Sequence, residues 1–148
     1  MTDSTFQKVG KSEERMFGSP CLLICGYRDD EQEQLLSLIE DCGLSRHAVV
    51  FAGKDDEDAI LRDIVKAESG KGRGLSSGLA RAIIMSGLTE KELHSLLSTY
   101  RNQKFAPQLW ATLTPISEGW TLKSLLKELA AEAEAFRKRQ QEKGPGNR

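Results

Sequence analysis

The chain has 148 residues, 39% of them hydrophobic and 29% charged, with a formal net charge of −1. That composition fits one soluble globular domain with a real core, and it excludes a bulk electrostatic pull toward nucleic acid or a membrane surface. No apolar run approaches the roughly 20 residues of a spanning helix, and the N-terminus lacks the apolar centre of a signal peptide, so no membrane insertion is expected.

In chain order, residues 1–19 are polar and mixed in charge. They read as a flexible N-terminal segment, with Phe6 and Phe17 available for packing. Gly10-Lys11-Ser12 has the ending of a phosphate-binding loop, but Thr5 stands where that motif needs glycine and no strand precedes it. Cys21 to Cys25 is a continuous apolar run that stops at Gly26. A continuous run suits a strand covered on both faces, as in a parallel sheet. Asp29 and Asp30 then favour a helix start, Leu35, Leu36, Leu38, Ile39 and Cys42 recur at helical spacing, and Gly43 is placed to end the helix.

Ala48 to Ala52 is the second predicted strand, and the acids of KDDED after it suit the first turn of a helix carrying Ile60, Leu61, Ile64 and Val65. The glycine-rich, basic segment Ser69 to Gly78 reads as an exposed, mobile loop. Ala82 to Met85 is the third strand. Gly87 ends it, Thr89 and Glu92 have capping-box spacing, and Leu93, Leu96, Leu97 and Tyr100 form the next apolar stripe. Leu109 to Leu113 is the fourth strand. The last helix starts near Thr121 with a stripe of Leu122, Leu125, Leu126, Leu129, Ala133 and Phe136. Residues 20–138 thus read as a single domain and 139–148 as a disordered tail.

The two halves follow one plan. With Leu22 laid on Ile83, the identical pairs are Gly26/Gly87, Glu31/Glu92, Leu35/Leu96, Leu36/Leu97 and Ser37/Ser98. The expected fold class is α/β: a mainly parallel four-stranded sheet with helices on both faces, built as two β-α-β-α halves related by internal duplication. A pseudo-twofold axis would place the first and third strands together at the centre, giving strand order 2-1-3-4. An antiparallel fourth strand or a ferredoxin-like variant is the rival.

The three cysteines, Cys21, Cys25 and Cys42, have no C-x-x-C spacing and read as buried packing residues in a reducing compartment. His47 and His94 fall on different elements and read as surface or boundary residues. No set of Cys, His, Asp and Glu has metal-ligand spacing, so neither metal nor cofactor is expected. Open parallel sheets bind ligands at the carboxyl ends of their strands. That rule points to the corners Gly26-Tyr27-Arg28 and Ser86-Gly87-Leu88-Thr89, with Thr114 and Trp120 nearby, where two helix N-termini would converge on one ligand. The bland alternative is that the glycines only permit tight turns and Trp120 only packs. The basic loop, with Lys71, Arg73 and Arg81, is a second candidate surface.

The run LTPISEGWTLKSLLKEL, Leu113 to Leu129, preceded by IIMSGLTEKELHSLL, resembles a domain-of-unknown-function family, DUF3783, of small bacterial and plant proteins. Ser86, Gly87, Leu113, Thr114, Pro115, Trp120, Thr121 and Leu122 carry the resemblance. Ile116 departs where a small polar residue is usual, and Gly119 where a polar one is common. The resemblance spans about Cys21 to Lys138. Its plant members look plastid-targeted, which implies a plastid stroma; apart from the resemblance, the expectation is a soluble intracellular protein of the cytoplasm. It brings no activity, substrate or catalytic residue.

With no metal set, no nucleophile beside a base and no cofactor fingerprint, the leading expectation is a non-enzymatic interaction or assembly module with a protein partner. The charged end of the last helix, Arg137-Lys138-Arg139, is a candidate docking surface. One alternative is an RNA- or phospholigand-binding domain using the basic 66–81 segment. Another is an enzyme whose site lies at the Gly26/Gly87 strand ends.

Overall fold

A computed structural model of the protein describes residues 14–74, 77–103 and 105–143. Phe6, the Gly10-Lys11-Ser12 run and the last five residues of the expected tail lie outside the described residues. Four strands, β1 (Cys21–Cys25), β2 (Ala48–Phe51), β3 (Ala82–Ser86) and β4 (Leu109–Thr112), alternate with four helices: α1 (Asp29–Asp41), α2 (Leu61–Ile64), α3 (Glu90–Asn102) and α4 (Leu122–Lys143).

The strands lie in the order β2-β1-β3-β4. β1 runs parallel to β2, and β3 parallel to β4, but β1 and β3 are antiparallel. The sheet is therefore mixed, and the mainly parallel expectation is corrected at its centre. The physical cause is the link between the halves. The chain passes Gly26 at Leu79 and Ala80 and enters β3 at the end where β1 finishes, so Cys25 pairs with Ala82 and Cys21 with Ser86. A twofold axis perpendicular to a sheet also reverses strand direction, so two similar halves meeting at such an axis meet antiparallel.

The pairing has that symmetry. Leu23 faces Ile84, which are partners when the halves are aligned, and the outer registers Cys21/Ala48 and Ala82/Leu109 correspond. On one face of the sheet Ile60 bridges Thr121. The flanking bonds are reciprocal: Leu61 N–H donates to Trp120 O at 2.9 Å and Leu122 N–H to Ala59 O at 3.1 Å.

Alternation of side chains splits the core between two faces. Leu22, Ile24, Ile83 and Met85 pack under α1 and α3 through Leu35, Leu38, Ile39, Leu96 and Tyr100. Cys21, Leu23, Cys25, Ala82 and Ile84 pack under α2 and α4 through Leu61, Ile64, Leu122, Leu125 and Leu126. Helices thus cover both faces, as expected. Burial pushes the Cys21 and Cys25 thiols up to about 12, with the Asp56 carboxylate adding to the effect at Cys25, so both are packing groups.

The helix ends follow local chemistry. Thr89 Oγ1 accepts the Glu92 N–H at 3.0 Å and Glu92 Oε1 accepts the Thr89 N–H at 2.9 Å, the expected capping box. At α1 the glutamate half alone is used, Glu31 Oε1 taking the Arg28 N–H at 3.1 Å. The acids after β2 do not open a long helix. Asp56 caps a 3₁₀ turn through the Gly53 N–H at 2.8 Å, and α2 is one turn that begins at Leu61. α4 runs 22 residues, about 33 Å, and continues to Lys143 through residues expected in the tail. From Ala130 through Gln141 only Ala133 is half-buried, and Phe136, expected in the core stripe, is 55% exposed.

Candidate functional site

The two glycine corners lie at opposite ends of the sheet, because the central strands are antiparallel. They do not form the single cleft that a parallel centre would give, nor do the α1 and α3 N-termini converge. Each glycine has a packing role. A side-chain carbon at Gly26 (φ 79°) would lie 2.6 Å from Leu79 O, and one at Gly87 (φ 70°) would lie 2.5 Å from Gly18 O. Each corner is pressed under the segment that leads into the other central strand, and positive φ adds to the requirement for glycine.

At the Gly26 end, Tyr27 is buried and its hydroxyl donates to Gln108 Oε1 at 2.6 Å. The Arg81 guanidinium lies 4.0 Å over the Tyr27 ring, and its Nη1 donates to Glu31 Oε1 at 2.9 Å. That bond, with the Arg28 backbone N–H, holds the Glu31 carboxyl below the usual range. Burial, followed by the hydrogen bond with Tyr100, pushes the Tyr27 phenol up. Beside this cluster is an open cavity of about 500 Å³ lined by Glu31, Gln34, Ser37, Arg81, Gln103 and Phe105. Arg81 Nε and Gln108 Nε2 are buried there and, among the described residues, have no partner. Arg81 is neutralised by Glu31 and the phenol keeps its proton, so the cluster is a polar brace with two spare donors and no poised base. Arg28 points to solvent and pairs with Asp30 at 3.2 Å.

The Gly87 end is closed by residues 14–20, which the sequence places at the flexible lead-in. Met16 N–H donates to Leu88 O at 2.8 Å, Gly87 N–H to Phe17 O at 2.9 Å and Arg15 Nη1 to Gly87 O at 2.7 Å. Ser86 is buried beneath Gly18, and its Oγ has no partner among the described residues. Thr89 is occupied as the helix cap. His47, expected at a surface or boundary, is only 6% exposed, with Nε2 3.3 Å from Glu92 Oε1; Arg15 Nη1 approaches the same carboxylate at 3.7 Å. One signal could have placed it: His47 precedes β2 as Gln108 precedes β4.

Thr114 and Trp120 serve the chain reversal after β4. Thr114 Oγ1 accepts the Ser117 N–H at 3.0 Å and the Ile116 N–H at 3.2 Å, which fixes the 3₁₀ turn Ser117–Gly119. Trp120 packs half-buried on the α2/α4 face while its carbonyl holds Leu61.

The basic loop is not free. Its first residues run along the outer edge of β2: Ser69 Oγ accepts the Val49 N–H at 2.9 Å, Gly70 N–H donates to Val49 O at 2.7 Å, and Phe51 N–H donates to Lys71 O at 2.8 Å. Further on, Gly74 N–H is held by Gln32 Oε1 at 2.8 Å. Lys71 faces Asp56 at 3.8 Å, Arg73 is exposed and Arg81 is half-buried against Glu31, so the three cations do not form one patch.

The opposite edge is bare among the described residues. Leu109 N–H donates to Arg81 O at 3.0 Å and Leu113 N–H to Met85 O at 2.8 Å, so by strand alternation the backbone groups of Trp110 and Thr112 point outward. Among the described residues these groups have no partner, whereas Val49 and Phe51, their counterparts on β2, are bonded to the 69–71 segment. The halves diverge at this point: the chain after α2 turns back to seal β2, while α4 continues as helix and leaves β4 open.

Among the described residues no helix is long and apolar enough to cross a membrane. No curated protein and no solved structure matches the chain. Residues 81–136, from the residue before β3 into the exposed part of α4, match the family model described as domain of unknown function (DUF3783).

Proposed function

We propose that the chain is a non-enzymatic assembly module whose docking element is the outer edge of β4. One observation carries this reading: the edge of β2 is sealed by the chain itself, and the corresponding groups of β4 have no partner among the described residues. An edge of this kind takes an extended strand, whose backbone satisfies it. Nothing in the strand opposes that, since no charged residue occurs from Phe105 to Ser117. The exposed reach of α4, with Phe136, gives a second surface on the same half of the chain.

The proposal includes an origin by duplication. The corresponding registers, the self-paired Leu23/Ile84 and Ile60/Thr121 positions, and a family match spanning one β-α-β-α half all favour it. The first copy would have acquired the edge seal, and the second kept the open edge. The basic-segment alternative is less favoured, since Lys71 and Arg81 already face carboxylates.

The test is a photo-crosslinking residue placed at Thr112, with a control at Arg62 on α2, activated in extract of the producing cells. Adducts of defined mass from position 112, absent from the control, are expected. No adduct from position 112 would contradict the reading.

A further inference from the structure

We infer that the strand added to β4 is β4 of a second copy of this chain, forming a twofold dimer with one continuous eight-stranded sheet; this rests on the reading of β4 as a docking edge. The hydrogen-bonding groups of the edge are self-complementary. With a twofold axis at Ala111, Trp110 of one copy stands opposite Thr112 of the other. Each such pair exchanges two N–H···O=C bonds, so every outward group of both residues is satisfied in both copies.

The side chains agree with that register. Trp110 would face Thr112 across the strands, an aromatic beside a β-branched residue. Ile116, 74% exposed in the single chain, lies in the turn just past the ladder and would stand near the other copy's approach to β4. Pro107 would stand opposite Pro115, which bounds the ladder at both ends. β4 carries no charge, so two copies do not repel each other along it.

Closure is the argument for a second copy over an unrelated peptide. A bare, uncharged edge bearing tryptophan invites open-ended pairing unless it is consumed. Joining β4 to β4 consumes the bare edge of both chains. The two edges that remain are those of β2, and each is already sealed by residues 69–71. The product has no open edge and cannot grow, which is the property of an isologous twofold contact.

The test is the molar mass of the full chain by sedimentation equilibrium, for the wild type, Thr112→Pro and Ile116→Lys. Thr112→Pro removes an outward donor and leaves the bonds to β3 intact; Ile116→Lys alters only an exposed side chain, so it remains informative if the proline variant misfolds. A synthetic peptide copying residues 108–114 is titrated into any monomeric sample. The expected result is a wild-type mass twice the 16.4 kDa of one chain, halved in either variant with unchanged circular dichroism. A dimer insensitive to both variants would overturn the inference, because the contact would lie elsewhere. A wild-type monomer that binds the peptide would overturn self-pairing and leave the docking edge standing. A monomer that does not bind it would overturn both.

Discussion

Leu23 of β1 stands directly opposite Ile84 of β3 at the antiparallel centre of the sheet. The same two residues coincide when the halves of the sequence are aligned, so the approximate twofold axis passes between them. With it go the matching burial of the two glycine corners and the reciprocal bonds at Ile60 and Thr121. The two outer edges depart from it: residues 69–71 bond to β2, and no described segment bonds to the outer side of β4.

The corner glycines are predicted to be structural. Gly26→Ala and Gly87→Ala each force a side chain against backbone at a positive φ, and each is expected to lower stability by about 2–4 kcal/mol. Gly43 also has positive φ (81°), but a side-chain carbon there meets nothing within 4 Å. Gly43→Ala should cost about 1 kcal/mol. Urea denaturation of the three variants checks the order, and equal losses at all three positions would contradict the packing explanation.

The cysteines give a second prediction. Cys21 and Cys25 are buried with thiols raised to about 12, whereas Cys42 is only partly covered. A thiol reagent at about pH 8 should modify Cys42 first and reach the other two only on unfolding. Mass spectrometry of the partly modified chain identifies the site. Prompt modification of Cys21 would contradict the placement of β1 in the core.

The fold was legible in the sequence where apolar pattern and turn chemistry agree. The four strands, the capping box at Thr89, the α1 end at Gly43 and the strand order all follow from them. Strand direction at the centre was not legible, because CLLIC and AIIMS are buried on both faces and such runs read alike in parallel and antiparallel pairs. The site was less legible. Ser69 to Gly74 has the composition of a loose loop, and only its bonds to Val49, Phe51 and Gln32 make it an edge seal. His47 has no signal in its own neighbourhood, only its correspondence to Gln108, since its partner Glu92 is distant in the chain. The bare edge of β4 could not be inferred from the strand itself, because it depends on where the chain travels afterwards.

The Arg81–Glu31 bond predicts a pH dependence. The carboxyl of Glu31 is held below its ordinary value by Arg81 and the Arg28 N–H. A depressed folded-state value means that this contribution is present above the unfolded-state value and is lost as pH falls through the folded one. Glu31→Gln should therefore be less stable than the wild type at neutral pH, with the gap closing in acid. Denaturant midpoints of both proteins at neutral pH and about pH 3 measure it. A gap independent of pH would contradict the ion pair.

The most direct measurement is residue-resolved amide exchange at Phe51 and Thr112 over a range of protein concentration. These two N–H groups hold corresponding places on the outer strands, one bonded to Lys71 and the other pointing outward. The account predicts a Phe51 amide that exchanges slowly at every concentration and a Thr112 amide whose protection rises as the chain is concentrated. A Thr112 amide as slow as that of Phe51 in dilute solution would contradict it, because the β4 edge would then be closed within the single chain.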